Sequence, residues 1–225
     1  MKASAEVEPP ASAPEPEVFR VVGPRRVYVA WLLLAANVLW FAWMSIQGVN
    51  PLDPDDDGLV RFGADFGPLV AEGEWWRILS SAFVHIGLVH IAVNMYALWT
   101  LGPAVERLFG NAAFLAIYLA GAVGCSLLSL YVHPAGNSAG ASGAIFALAG
   151  ALLAFVVAHK DAMPKAAFHG ALRSMGMFLV VNLIIGLTVP NISLSGHAGG
   201  FVTGFVAALA LDRDPARAPR LDLRR

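Results

Sequence analysis

The feature that most constrains this chain is a series of six apolar runs, at about residues 27–46, 86–105, 112–131, 141–158, 175–189 and 197–211. A bilayer core is ~30 Å thick and offers the backbone no hydrogen-bond partners, so runs of about 20 apolar residues cross it as helices. Several of these runs are shorter than that, and all carry glycine or alanine. Small residues let helix backbones approach closely where lipid supplies no hydrophobic drive between helices. Gly200 and Gly204, four apart, mark one such face rather than glycines merely tolerated in lipid. With 57% hydrophobic and only 14% charged residues, and a mean hydropathy of +0.64, the chain is too apolar for an ordinary soluble domain. The expected fold is an all-α membrane protein, a compact bundle of six transmembrane helices over residues 27–211.

The flanks and loops set the expected orientation. Residues 1–26 are rich in Pro, Ala and Glu without apolar periodicity and are expected to be a disordered tail with no cleavable signal peptide. Lys and Arg beside span ends stay in the cytoplasm. With the N-terminus inside, thirteen of the fifteen basic residues are cytoplasmic: Lys2, Arg20, Arg25, Arg26, Arg107, Lys160, Lys165, Arg173, Arg213, Arg217, Arg220, Arg224 and Arg225. Only Arg61 and Arg77, in the first connection, are left outside. Both termini are therefore expected in the cytoplasm, the last as a short basic tail at 212–225. The dispersed basic residues and net charge of −1 give no sign of nucleic-acid binding. The single Cys125 has no intrachain disulfide partner and belongs to no metal-ligand spacing, so it reads as a small apolar filler. No metal or cofactor is expected.

The first outer connection, 47–81, is the longest, and long connections are usually functional or partly structured. Asp53-Pro54-Asp55-Asp56-Asp57-Gly58 begins like a calcium loop, but Ala64 stands where the bidentate Glu should be. A solvated acidic turn is the better reading. Trp75, Trp76 and Arg77 read as an interfacial anchor.

Polar groups inside spans are costly and are usually functional. His90 and Asn94 sit near the start of the second span, Ser142 and Gly143 start the fourth, and His197 starts the sixth. All three spans run inward, so these groups share one depth. Ser142 lies 17 residues before His159, about 25 Å at 1.5 Å per residue, which puts the hydroxyl somewhat below the outer surface. A serine hydroxyl becomes a nucleophile when a base takes its proton, and histidine is the usual base near neutral pH. Ser142 and His197 supply that pair. The only carboxylate in a span is Glu106, at the cytoplasmic end of the second, so a dyad is expected rather than a triad. Charge developing on a carbonyl oxygen would meet the Ser142 N–H at a helix start, with His90 and Asn94 as side-chain donors. Gly140 and Gly143 allow close backbone approach around the hydroxyl.

Taken together, these motifs resemble the rhomboid intramembrane serine proteases of the six-span bacterial type. Gly140-Ala141-Ser142-Gly143 matches the family's Gly-x-Ser-Gly, and His90-Ile91-Ala92-Val93-Asn94 its His-x-x-x-Asn. His197 with Gly200 and Gly204 matches its last-span motif, Trp76-Arg77 its first-loop motif, and Glu106 with Gly110 the end of its second span. The resemblance covers about residues 27–211, in family order and spacing. It implies Ser142 as nucleophile, His197 as general base, and the Ser142 amide, His90 and Asn94 as the oxyanion site. One position departs: where the family commonly has Tyr, this chain has Phe146, whose ring is expected to stack on His197 without a hydroxyl to hydrogen-bond. His85, five before His90, matches a histidine often seen there and serves either a water-retaining loop or interface packing. His133, His159 and His169 read as surface loop residues.

The expected function is endoproteolysis of single-span membrane proteins through an acyl-enzyme, in a bacterial inner membrane, with the site open to the outer side. Entry is expected past the fifth span and the uncharged 188–195 loop containing Pro190. The alternative is a rhomboid-like protein that binds membrane helices without cutting them, although such relatives typically lack the serine or histidine kept here. A channel or transporter would favour buried carboxylates, which the spans lack.

Overall fold

The computed structural model describes residues 26–188 and 192–212. The elements are α1 (Val29–Ile46), α2 (Asp56–Arg61), β1 (Asp65–Phe66), α3 (Gly67–Ala71), α4 (Arg77–Ser80), α5 (Leu88–Phe109), α6 (Asn111–Val132), β2 (Asn137–Ser138), α7 (Ser142–Ala158), α8 (Lys165–Thr188) and α9 (Leu194–Leu211). This is an all-helical membrane protein apart from one two-residue strand pair. Helices α1, α5, α6, α8 and α9 are long and apolar enough to cross a membrane, while α7 is a shorter apolar helix of 17 residues. The tails at 1–25 and 213–225, with their basic residues, and the 189–191 part of the expected entry loop, including Pro190, lie outside the described residues.

The short α7 is the centre of the bundle. Twelve of its 17 residues are buried, among them Ile145, Phe146, Leu148 and Phe155, with α6 and α9 packed along it and α5 beside it. A helix enclosed by other helices need not match the bilayer thickness, which accounts for an apolar run too short to span alone. Helix α8 is the opposite case, exposing Met177, Val180, Leu183 and Leu187. It also begins ten residues before the expected start at 175, because Lys165, His169 and Arg173 interrupt the apolar pattern without interrupting the helix. His169 is therefore an exposed helical residue, not a loop residue. His159 is half-buried rather than on the surface: its ring stacks on Phe155 at 4.3 Å, and its Nε2 lies 3.6 Å from Asp212 Oδ2, joining the ends of α7 and α9. His133 is exposed, as expected.

The start of α1 is closed by a residue far away in sequence. The buried Glu106 carboxylate accepts the N–H groups of Tyr28 (3.0 Å), Val29 (2.9 Å) and Ala30 (2.8 Å). The first N–H groups of a helix have no intrahelical partner and carry the positive end of its dipole, so a carboxylate there satisfies both needs. Asn111 Nδ2 donates to the same carboxylate at 2.6 Å and to Arg26 O at 3.0 Å. One side chain thus locks α1, α5 and the start of α6 together.

The first connection, 47–87, is folded. Arg77 points inward, which differs from the expected interfacial anchor: it is 5% exposed and donates to Val60 O (2.6 Å), Ala64 O (3.1 Å) and Glu74 Oε2 (2.7 Å). Guanidinium offers five donors in a fixed fork, and here they gather a loop. Trp75 and Trp76 are exposed, in keeping with an interfacial role. The acidic stretch forms a helix cap, Asp55 Oδ1 accepting Gly58 N–H at 2.7 Å, while Asp56 Oδ1 accepts Asn137 Nδ2 at 2.7 Å. Strand β1 pairs antiparallel with β2, Asp65 with Ser138 and Phe66 with Asn137, clamping the loop to the segment that leads into α7. Asp65 itself is fully buried, and its carboxylate oxygens have no hydrogen-bond partner among the described residues. Burial pushes its pKa up to about 6, only partly offset by the nearby Ser126 hydroxyl and Arg77.

Two measurements check these contacts. Glu106→Ala strands three N–H groups and should lower stability in detergent by about 3 kcal/mol or more, with Glu106→Gln losing less, read from thermal unfolding. Because the folded-state pKa of Asp65 is raised from 3.8 to about 6, its folded form is favoured when protonated, and that advantage is lost as pH rises through this window. Asp65→Asn should therefore be more stable than the parent at pH 8, and the difference in melting temperature should shrink as pH falls to 4.

Candidate active site

The starts of α5, α7 and α9 converge on a cavity of about 360 Å³ whose lining includes His90, Asn94, Ser142, Phe146 and His197. Each element arrives for a local reason. Ser193 caps α9, its hydroxyl accepting Gly196 N–H at 3.0 Å, so the helix starts three residues before the expected point and His197 falls in its first turn. Before α7 the backbone turns sharply at Gly140, with φ +128°, and a Cβ there would fall 2.7 Å from His90 Cε1. Only glycine fits both the angle and the space.

The depth of α9 against α7 is fixed by backbone contact. A Cβ on Gly200 would strike the carbonyl oxygen of Gly143, and one on Gly204 that of Ala147. Gly143 is in turn pressed against Cys125 of α6. The half-buried Cys125 lines the cavity and fills this space.

The result is a hydrogen bond between His197 Nε2 and Ser142 Oγ of 2.8 Å. Phe146, one turn along α7, stacks on the His197 ring with centroids 4.2 Å apart and planes 13° from parallel. Phe178 of α8 packs on Phe146 at 5.2 Å. His197 Nδ1 is buried with no partner among the described residues. With Nε2 facing the serine hydroxyl as acceptor, the ring proton belongs on Nδ1.

His90 has the complementary tautomer. Its Nδ1 accepts Ile86 N–H at 3.2 Å, which leaves Nε2 protonated as a donor. Asn94 is buried and spends one amide hydrogen on His90 O at 3.0 Å, leaving the second for the cavity. At the start of α7, Gly140 N–H goes to Ser81 O at 2.9 Å and Ala141 N–H to His85 Nε2 at 3.4 Å. The Ser142 N–H, next in line, has no partner among the described residues and sits in the first turn of a helix.

His85 resolves toward packing. It is fully buried, its Nδ1–H donates to Phe83 O at 3.1 Å, and it bridges the first connection to the residue before Ser142. Burial first, and the neighbouring His90 second, push its pKa down to about 3, so it stays neutral.

Of the other expected site residues, Trp76 and Arg77 belong to the first connection, where Arg77 Cζ sits 4.6 Å from the Trp76 ring centroid. Glu106 lies at the far end of α5, 16 residues from His90, or about 24 Å along the helix. These three brace the scaffold rather than line the cavity. Two polar groups were missed in the sequence: Asp65, hidden in a loop, and Asn182 of α8, which lines the cavity. The second carried the same signal as Asn94, an amide inside an apolar run.

Comparison with known proteins identifies the family. Residues 72–213 match the profile described as Rhomboid domain. The chain is 41% identical over 192 residues to "Rhomboid protease GluP" of Bacillus subtilis (strain 168), covering 84% of this chain and 36% of that protein. It is 32% identical over 214 residues to "RHOMBOID-like protein 5" of Arabidopsis thaliana, covering 82% and 68%. To "Rhomboid protease AarA" of Providencia stuartii it is 32% identical over 188 residues, covering 74% and 66%. The match thus spans little more than a third of the Bacillus protein and about two thirds of the other two. Homology over this much of the sequence makes the chain a member of the rhomboid family.

Proposed function

We propose that this chain is an intramembrane serine endopeptidase, with Ser142 as nucleophile and His197 as general base, cleaving single-span membrane proteins within or near their transmembrane helix. The observation that carries this reading is the 2.8 Å bond from Ser142 Oγ to His197 Nε2, under the Phe146 ring. In the proposed reaction Ser142 Oγ attacks a substrate carbonyl carbon while its proton passes to His197 Nε2. The carbonyl oxygen becomes an oxyanion, met by the Ser142 N–H, His90 Nε2–H and Asn94 Nδ2–H. The C–N bond then breaks as His197 returns the proton to the leaving amine. Water, activated by the same histidine, hydrolyses the acyl ester and frees Ser142. Among the described residues no carboxylate joins the pair: stacking on Phe146 holds the imidazole plane that a triad carboxylate would otherwise orient.

A helical substrate has its backbone groups already paired, so it must unwind locally before a carbonyl reaches Ser142. Substrates with helix-weakening residues, and with a small residue before the scissile bond as the family prefers, fit this requirement. The loosely packed α8 is the entry side in this reading. The five long apolar helices and the shorter α7 are taken as one transmembrane domain at 27–211, with both tails in the cytoplasm of a bacterial cell and the cavity open to the outer side. The distribution of basic residues and the bacterial relatives support that orientation and location.

The test is labelling by a serine-directed fluorophosphonate together with cleavage of a model single-span substrate in detergent. Ser142→Ala and His197→Ala should each abolish cleavage, and intact cleavage in either would remove the dyad. Substrate that is bound but never cut by the parent chain would instead indicate a helix-binding protein. Asn94→Ala should lower kcat by ~10²-fold through loss of one oxyanion donor, with KM little changed.

A further inference from the structure

Asn182 is the only polar side chain in the apolar stretch 175–187 of α8, a helix most of whose surface is exposed. An amide there is costly unless it has work to do. It lines the same cavity as Ser142, His197 and Asn94. Its Nδ2 donates to Phe178 O at 2.8 Å, which fixes the amide orientation and leaves Oδ1 as the exposed end. Phe178 in turn packs on Phe146, so Asn182 is anchored to the ring that holds His197.

On the α5 and α7 side the cavity offers donors, with the Ser138 hydroxyl and Asn94 Oδ1 as acceptors beside them, while on the α8 side Asn182 is the polar side chain of the lining. His90 Nε2–H, the second Asn94 Nδ2–H and the Ser142 N–H are all donors suited to a carbonyl oxygen or oxyanion. An unwound peptide also brings N–H groups, and an unpaired N–H in a membrane cavity is expensive. On the α8 wall, the side chains of Phe178 and Ile185 carry no acceptor atom, whereas Asn182 has Oδ1. The hydroxyl of Ser193, also on the lining, already accepts Gly196 N–H.

We infer that Asn182 is a substrate-binding residue whose Oδ1 accepts a backbone N–H of the unwound substrate segment, opposite the donors on α5 and α7. It acts on the ground state and the transition state alike, so its loss weakens binding rather than the chemical step. The inference rests on the proposed proteolytic reading for its functional meaning, but its test need not.

In a Ser142→Ala background, where nothing is cut, Asn182→Leu should weaken binding of a model single-span substrate by about 10-fold, the effect of one buried hydrogen bond. Asn182→Gln, which keeps an amide oxygen, should recover most of it. With Ser142 present, Asn182→Leu should raise KM by a similar factor with kcat little changed. Fluorophosphonate labelling should not change, because that probe carries no peptide N–H. In a substrate series with successive amides replaced by esters, one position should weaken binding to the parent but not to Asn182→Leu. Unchanged binding, or a loss of binding accompanied by slower labelling and a lower melting temperature, would overturn the assignment. Failure of the parent chain to label or cleave would overturn the proteolytic reading alone, since the binding measurement stands without it.

Discussion

Backbone contact between α7 and α9 is the constraint on which the site depends. Where a side chain would hold the two helices apart, Gly200 lies on the Gly143 carbonyl and Gly204 on that of Ala147. Lipid gives helices no hydrophobic reason to associate, so close van der Waals packing must hold them, and glycine makes that packing possible. The 2.8 Å distance from Ser142 to His197 follows from this approach. The motif glycines thus set the distance between Ser142 and His197.

The remaining polar groups close the ends of this packed unit. At one end Glu106 satisfies the first N–H groups of α1 from across the bundle. At the other, Arg77 collects carbonyls of the first connection, and β1 pairs with β2 just before Ser142. His85 completes the link by taking Ala141 N–H. Each device meets backbone groups that would otherwise be buried and unpaired, and those at the second end lead to the segment carrying Ser142. The first connection is thus part of the scaffold that positions Ser142.

Much of this was legible in the sequence because membrane burial writes a strong signal. The apolar runs at 112–131 and 141–158 coincide with α6 and α7 to within a residue, and the shared depth of His90, Asn94, Ser142 and His197 reappears as one cavity. Long-range contacts carried no such signal. Nothing local says that Arg77 turns inward, that Asp65 is fully buried, or that Glu106 caps a helix 76 residues and more before it. The start of α8 was misplaced because hydropathy reports the environment rather than the helix, and Lys165 to Arg173 change environment without ending it. Phe146 was readable in the reverse sense: the missing hydroxyl stood out, and the stacked ring accounts for the part of the role that remains.

The proposed dyad also accounts for the absence of a carboxylate beside His197 among the described residues. An ionised carboxylate buried among α7, α8 and α9 would carry a desolvation penalty that the imidazole could offset only while protonated. During the proposed cycle the imidazole is neutral except in passing, so the carboxylate would be unpaired for most of the time. An aromatic ring has no such penalty: Phe146 restricts the imidazole by contact in both protonation states and adds cation–π attraction when His197 is charged. The same ring contacts Phe178, so the geometry of His197 is coupled to α8, the least enclosed of the long apolar helices. In the proposed mechanism, a substrate that displaces α8 to enter must restore the Phe178–Phe146 contact to regain the stacked base. Entry and catalysis are thereby linked through one aromatic contact rather than through a charge.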